Sequence, residues 1–191
     1  MKKYELTENY IIFNGKKLFQ VKALISFGNV KPGDLGGYIE KESNLSHHNN
    51  AWVSGDAMIF GNAVICDNTR ICGDAMIFGD TKIFGNARIF GNARICGDAV
   101  IKGNAAIQTN KDYTYIRGFG SEYRTTTFFR LDNKDIGVCC GCFYGTLNEF
   151  RKKVKETHND NKYAKEYLMI ADLMEYHFSN NEEINTYENS N

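Results

Sequence analysis

The segment NARIFGNARICGDAVIKGNA, from Asn86 to Ala105, repeats a pattern of six residues. The pattern extends back to Ala51 and forward to Asn110, so ten units follow one another without a gap. In each unit the first residue is Ala or Thr, the third is Val or Ile, and the sixth is Asn or Asp. The fifth residue is Gly in eight of the ten units. A strict repeat of this kind indicates a repetitive architecture.

Each unit predicts a short β-strand followed by a sharp corner. Residues one and three lie two positions apart, so in a strand they share a face and place small and large apolar side chains in a narrow core. Glycine at position five accepts the positive φ of a tight turn, and Asn or Asp at position six tolerates left-handed backbone. Equal strands joined by equal corners coil into a parallel β-solenoid, with hydrogen bonds running from coil to coil.

The run IFGNAR resembles the hexapeptide repeat of left-handed β-helix proteins. Three units complete one triangular coil in that family, so the resemblance implies a left-handed helix with about 18 residues per coil. The stretch FGNVKPGDLGGYIEKESNLS, from Phe27 to Ser46, is similar to the start of prophage-encoded hexapeptide proteins of the YdcK type. The assignment of those proteins as transferases rests on their fold. The resemblance therefore implies a phage or prophage setting but no established activity.

The pattern divides the chain into four parts, and the predicted fold class is mainly β. Residues 1–48 contain a hairpin turning at Asn14-Gly15, which we expect to cap the open end of the solenoid. The remaining parts are the left-handed parallel β-helix at 49–110, an α+β module at 111–179 and a polar tail at 180–191.

The predicted α+β module contains three strands and two helices. The strands are YTYIRGF, TTTFFRL and DIGVCCGCF. Thr146 and Glu149 form the capping box of the first helix. The residues expected on the solvated side of that helix are Arg151, Lys152, Lys153 and Lys155. KYAKEYLMIADLMEYHF is the second helix. The motifs GFGS, TTTFF and CGCF resemble a C-terminal module of other phage proteins, for which that resemblance implies no activity.

One outer face of the solenoid is predicted to be apolar. If residues 18 apart lie above one another, this face carries four large apolar side chains, and such a patch marks a contact surface. Either the C-terminal region covers the patch, or a second copy of the chain does. Because hexapeptide proteins commonly form trimers, the resemblance favours a homotrimer. The interface candidates are Met58, Phe60, Met76 and Phe78.

Two groups of residues are candidates for ligand binding. In the segment GFGSEYRTTT, glycines, hydroxyls and an arginine could hold a phosphate or nucleotide, although a plain hairpin loop is the alternative. On another solenoid face a tryptophan and two arginines should form one column, which could attract an anion or could pair with nearby acids. The candidates are Tyr123, Arg124, Thr125 and Thr126 in the loop, and Trp52, Arg70 and Arg88 in the column.

Catalytic and metal sites are weakly supported by the sequence. Hexapeptide acyltransferases use a histidine as general base, and His47 and His48, just before the first regular coil, are the candidates for that role. Acyl-CoA would be the cofactor only under this alternative; otherwise no cofactor is predicted. The run CCGC at 139–142 lacks the second spaced pair that zinc sites usually have, so no metal is predicted.

The composition limits the classes of partner that this protein could bind. Basic and acidic residues balance at 23 each, which argues against nucleic acid and against an anionic membrane surface. No apolar run approaches the roughly 20 residues of a membrane-spanning helix. The start MKKYELTENY is not followed by the apolar segment of a signal peptide. We therefore expect a protein of the host-cell cytoplasm, whose cysteines are thiols.

These features favour a non-catalytic phage or prophage binding protein. The predicted role is interference with a host defence system, through a nucleotide-type ligand or a host protein. This role rests on the resemblance and on no single residue. The alternatives are a hexapeptide-type acyltransferase and a structural scaffold component.

Overall fold

The computed structural model describes residues 2–179, and the predicted tail at 180–191 lies outside them. The chain forms a parallel β-solenoid followed by an antiparallel sheet and two helices. Each hexad contributes one two-residue strand. These strands are β4 Trp52–Val53, β5 Met58–Ile59, β6 Val64–Ile65, β7 Arg70–Ile71, β8 Met76–Ile77, β9 Lys82–Ile83, β10 Arg88–Ile89, β11 Arg94–Ile95, β12 Val100–Ile101 and β13 Ala106–Ile107.

The strands stack into three faces with a constant register. One face contains β5, β8 and β11, the second β6, β9 and β12, and the third β4, β7, β10 and β13. All pairs within these faces are parallel, and Met58 pairs with Met76 just as Arg70 pairs with Arg88. The prediction that residues 18 apart stack is therefore confirmed, and the solenoid fits the left-handed β-helix implied by the resemblance. The isoleucines and alanines of the hexads fill the core.

The corners are held by backbone conformation and by side-chain amides. Asp67 replaces the usual glycine but still adopts a φ of 59°, and its carboxylate accepts a hydrogen bond from the Gly85 N–H at 2.9 Å. At the following position, four asparagines form a ladder along the solenoid. Each amide donates to the next with N···O distances of 3.0–3.2 Å, in the order Asn50, Asn68, Asn86, Asn104.

Replacing Asn86 with Ala should lower the free energy of unfolding by about 1 kcal/mol, because Asn86 both donates and accepts within the ladder. Asn92→Ala is the matched control. Asn92 also occupies position six of a hexad and is exposed, and among residues 2–179 it makes no side-chain bond to another coil. Chemical denaturation of both variants checks the prediction, and equal losses of stability would contradict it.

The N-terminal region extends one face of the solenoid. Strands β1 Tyr4–Phe13 and β2 Lys16–Ala23 form the predicted hairpin, and its turn residues Asn14 and Gly15 have φ values of 49° and 75°. Strand β3 Leu35–Ile39 pairs antiparallel with β2 and parallel with β5. The hairpin is therefore continuous with the first solenoid face.

The backbone carbonyls of the first coil have no preceding coil from which to accept hydrogen bonds. Side chains supply some of the missing donors. The ammonium group of Lys3 donates to the carbonyl oxygen of Ala51 at 2.7 Å. The amide of Asn44 donates to the carbonyl oxygen of Ala63 at 2.8 Å. Buried backbone carbonyls need such partners. The two side chains complete the pairing that the backbone of the lead-in segment begins, where the N–H groups of Tyr38 and Ser46 donate to the carbonyls of Ala57 and Ile65. Burial lowers the pKa of Lys3 to about 8.

The C-terminal region contains four strands rather than the predicted three. They are β14 Tyr113–Ile116, β15 Thr126–Arg130, β16 Ile136–Cys140 and β17 Phe143–Thr146, followed by α1 Leu147–His158 and α2 Lys162–Phe178. The segment DIGVCCGCF splits because Gly141, with a φ of 57°, and Cys142 form a two-residue hairpin turn. Sequence analysis treated this glycine as part of a continuous strand.

The four-stranded sheet lies between the solenoid and the helices. Phe129 belongs to the solenoid core cluster, whereas its neighbour Phe128 packs with the two helices. Two side chains of this region also accept hydrogen bonds from backbone N–H groups of the last coil: the Tyr113 hydroxyl from Cys96 at 3.2 Å and the Thr127 hydroxyl from Val100 at 3.0 Å. The module is thus the C-terminal cap of the solenoid and shares its core.

The two helices form as predicted, with one difference. The Thr146 hydroxyl accepts from the Glu149 N–H, and the Glu149 carboxylate accepts from the Thr146 N–H, which completes the capping box. Arg151 does not point into solvent. Its guanidinium lies 2.8 Å from the carboxylate of Asp172 and 2.7 Å from that of Glu175, both on α2. The expectation for Arg151 was wrong because the second helix packs over that side.

Candidate functional site

The candidate site is a pocket of about 260 Å³ in the C-terminal module. It opens between the loop that follows β14, the turn between β16 and β17, and the two helices. Its walls combine aromatic, basic and thiol side chains. The lining residues are Ser121, Glu122, Arg124, Cys140, Cys142, Phe143, Phe150, Lys153, Val154, Thr157, His158 and Tyr167.

The loop wall of the pocket is anchored to α2. The N–H of Gly120 donates to the carboxylate of Glu166 at 3.0 Å, and the Tyr167 hydroxyl donates to the carbonyl of Phe119 at 3.5 Å. Burial raises the pKa of Tyr167 and keeps its hydroxyl protonated. These bonds position the short stretch that carries Arg124.

The floor of the pocket is aromatic. Phe150 of α1 packs against Phe143 and Tyr167, with ring centroids 5.5 Å apart in both pairs. The imidazole of His158 lies 5.9 Å from the Tyr167 ring. These rings belong to or border the core between the sheet and the helices, so the floor is rigid.

Three basic side chains surround this floor, and two of them have acidic partners. Arg124, Lys153 and His158 come from the loop, the middle of α1 and the end of α1. The carboxylate of Glu122 lies 3.3 Å from the Arg124 guanidinium, and that of Glu156 lies 3.4 Å from the Lys153 ammonium group. The arginine also lies directly over Gly141, where any side chain would collide with it. An anionic group in the pocket would compete with these exposed carboxylates for Arg124 and Lys153.

The three cysteines of CCGC lie in different environments. Cys139 faces the solenoid core, and burial raises its thiol pKa to about 12. Cys140 faces the pocket, where its sulfur accepts a hydrogen bond from the Thr126 hydroxyl at 3.2 Å. Cys142 is exposed in the turn. Within residues 2–179 no cluster of three or more His, Cys, Asp or Glu side chains could hold a metal ion.

The structure separates the four predicted loop candidates. Arg124 lines the pocket, and Tyr123 is exposed with a φ of 49°. Thr125 is half-buried, and Thr126 is buried with its hydroxyl directed to Cys140. Sequence analysis placed Lys153 with the other lysines on the solvated side of α1. It is exposed there, but it also lines the pocket, which the sequence did not indicate. Only the packing of the loop against α1 shows that this lysine borders a pocket.

The second group of candidates forms the expected column on the third solenoid face. Trp52 pairs with Arg70, which pairs with Arg88. The indole of Trp52 is buried, with the ring of Phe27 packed edge-on at 5.3 Å. Arg70 and Arg88 are both exposed, and Arg70 also lies against the loop at Gly28. The column therefore presents both arginines to solvent and uses Trp52 as a core residue.

The predicted interface face is partly covered within the chain. Phe60 stacks parallel to Phe78 with ring centroids 5.0 Å apart, and Phe13 of the hairpin packs on Phe60 at 5.6 Å. As a result Phe60 is only 8% exposed. Met58 and Met76 pair beside this stack and are half-buried. The N-terminal hairpin provides this cover, whereas the sequence suggested the C-terminal region or another copy.

The two histidines occupy different settings. The Nδ1 of His47 accepts a hydrogen bond from the Lys3 N–H at 3.2 Å, and its ring stacks on Tyr4 at 4.2 Å. Burial lowers the pKa of His47, although the nearby carboxylate of Glu42 acts in the opposite direction. His48 is exposed. His47 thus helps to hold the N-terminal strand on the first coil.

Comparisons with known proteins return no relative. No protein-family model matches the chain, and no curated protein matches it. Among the helices of residues 2–179, none is both long and apolar enough to cross a membrane. The pocket itself must therefore carry any functional argument.

Proposed function

We propose that this protein acts by binding rather than by catalysis, and that its C-terminal pocket holds a nucleotide-type ligand. The observation that carries the proposal is the combination of a rigid aromatic floor with a basic rim. Aromatic side chains stack on nucleobases, and Arg and Lys bind phosphate oxygens through charge-assisted hydrogen bonds. The pocket offers both within one cavity.

The size of the pocket favours a small ligand. Ligand pockets usually measure about 300–1,000 Å³, so a cavity of about 260 Å³ suits a mononucleotide or one end of a larger nucleotide. In this arrangement the base lies near Phe143 and the phosphate near Arg124 and Lys153. The anchored loop, held by the bond from Gly120 to Glu166, keeps Arg124 in place.

The biological setting of the proposal comes from the resemblance to phage and prophage proteins. A cytoplasmic protein that binds a nucleotide signal without converting it would interfere with a host defence system that uses such a signal. Alternatively, the protein would interfere with host defence by binding and blocking a host protein. The acyltransferase alternative has less support, because the Nδ1 of His47 is already engaged by the backbone of Lys3.

A ligand at about 100 times its dissociation constant should stabilise the protein by about 2.7 kcal/mol, which is roughly 5–10 °C in melting temperature. We expect such a shift in a thermal screen of nucleoside monophosphates and of cyclic and linear dinucleotides. Arg124→Ala and Lys153→Ala should each remove most of the shift, because each deletes a phosphate donor at the rim.

Lys152→Ala is the matched control, since Lys152 is exposed on the same helix and does not line the pocket. It should retain the full shift. Absence of a shift with every nucleotide in the wild-type protein would contradict the proposal. Equal loss in all three variants would mean that the effect is non-specific charge screening.

A further inference from the structure

An apolar stripe runs along the outer face of α2. Met169 is 72% exposed, Leu173 57% and Tyr176 67%. Their spacing of four and three residues places them on one side of the helix. The opposite side of α2, which includes Ile170 and Met174, is buried against the sheet and α1. The stripe is therefore additional to the apolar surface that the fold requires.

The two halves of α2 differ in net charge. The N-terminal half carries the exposed Lys162 and Lys165 and also Glu166, whose carboxylate lies 3.5 Å from the Lys162 ammonium group, which leaves one net positive charge. Asp172 and Glu175 lie in the C-terminal half and share one partner, Arg151. One positive charge between two carboxylates leaves that half negative. The N-terminal half of the helix is thus net positive and the C-terminal half net negative.

This distribution suits antiparallel pairing with a second copy of the same helix. A two-fold axis near the middle of the stripe would bring Met169 of one copy beside Leu173 of the other. The lysines at the start of each helix would then approach the acidic half of the partner. Antiparallel helix dipoles also attract each other.

We propose that the exposed face of α2 is a self-association surface, which joins two copies of this chain as an antiparallel helix pair around Met169, Leu173 and Tyr176. The proposal does not depend on the ligand pocket. Three side chains cover less area than the roughly 800 Å² per partner of a standard interface. We therefore expect a weak pair, with a dissociation constant of about 10–100 µM.

Sedimentation velocity on the full chain, from about 5 to 500 µM, tests the proposal. The wild-type protein should shift from monomer to dimer across this range. Leu173→Glu places a charge in the centre of the stripe and should weaken association at least tenfold. Lys165→Glu should weaken it as well, because the acidic half of the partner would then face a negative charge.

Two control variants keep the test specific. Ile12→Glu changes another exposed apolar residue, on β1, and should leave the dimer intact. Lys155→Glu makes the same charge change on α1 and should also have little effect, since Lys155 lies outside the stripe. Circular dichroism should show that all four variants keep the wild-type fold.

The outcomes distinguish this surface from the predicted trimer through the solenoid. A dimer lost in Leu173→Glu and kept in Ile12→Glu supports the proposal. A monomer at every concentration would overturn it, and so would a trimer that Leu173→Glu leaves unchanged. Equal weakening by Lys165→Glu and Lys155→Glu would also overturn the antiparallel arrangement, because net charge alone would then explain both.

Discussion

Replacing Phe129 with Ala is expected to lower the free energy of unfolding by about 3–5 kcal/mol, the usual cost of removing a buried phenyl ring. Phe129 is fully buried and belongs to the same core as the isoleucines of the solenoid. Its ring lies on the side of the antiparallel sheet that covers the last coil. The substitution therefore removes contacts on which both parts of the molecule depend.

The second part of this prediction is that the solenoid and the C-terminal module unfold cooperatively. Because they share one core, the wild-type protein should unfold in a single transition when followed by far-UV circular dichroism and by tyrosine fluorescence. Phe128→Ala is the matched variant, since Phe128 is equally buried but faces the helices. Two separate transitions in the wild-type protein, or a loss below about 1 kcal/mol in Phe129→Ala, would contradict the shared core.

Gly85→Ala should destabilise the solenoid by about 3 kcal/mol, for two separate reasons. Gly85 has a φ of 86°, and a side chain in left-handed backbone costs about 1–2 kcal/mol. A Cβ atom at this position would also lie 2.6 Å from the backbone nitrogen of Gly103 in the next coil. Backbone cannot move aside as a flexible side chain can, so the coil spacing must increase locally.

Gly33→Ala separates these two effects. Gly33 also has a positive φ, of 92°, but a Cβ atom there meets nothing within 4 Å. We therefore expect Gly33→Ala to lose only about 1–2 kcal/mol, the conformational part alone. Thermal or urea denaturation of both variants measures the difference. If both substitutions lower the free energy of unfolding equally, the close approach of successive coils is not the reason why position 85 requires glycine.

The solenoid could be predicted in detail because its contacts are set by a constant sequence interval. Met58 lies beside Met76 and Asn68 beside Asn86 for the same reason: each residue packs on its equivalent in the next coil. Local rules for strands and corners then specify the whole rod. The capping box at Thr146 was predictable on the same grounds, since its two residues are three positions apart.

The candidate pocket could be predicted only in part. Arg124 was identified because its loop is rich in glycine and hydroxyl residues. Lys153 was not, because its helix carries several lysines with the same local pattern, and only the docking of the loop selects one of them. Arg151 was misplaced for a related reason, since its carboxylate partners on α2 lie more than 20 residues away.

The sequence by itself determined the parallel rod and the spacing at which residues stack, because a repeat converts long-range contacts into a fixed interval. Only the tertiary structure decided how the two ends of the rod are closed. Strand β3 with the side chains of Lys3 and Asn44 closes one end, and Phe129 covers the core at the other. The pocket and the exposed stripe of α2 are likewise products of packing. The residues of the pocket are brought together by contacts without any periodic spacing. Those of the stripe follow the helical spacing, and packing decides that they remain exposed.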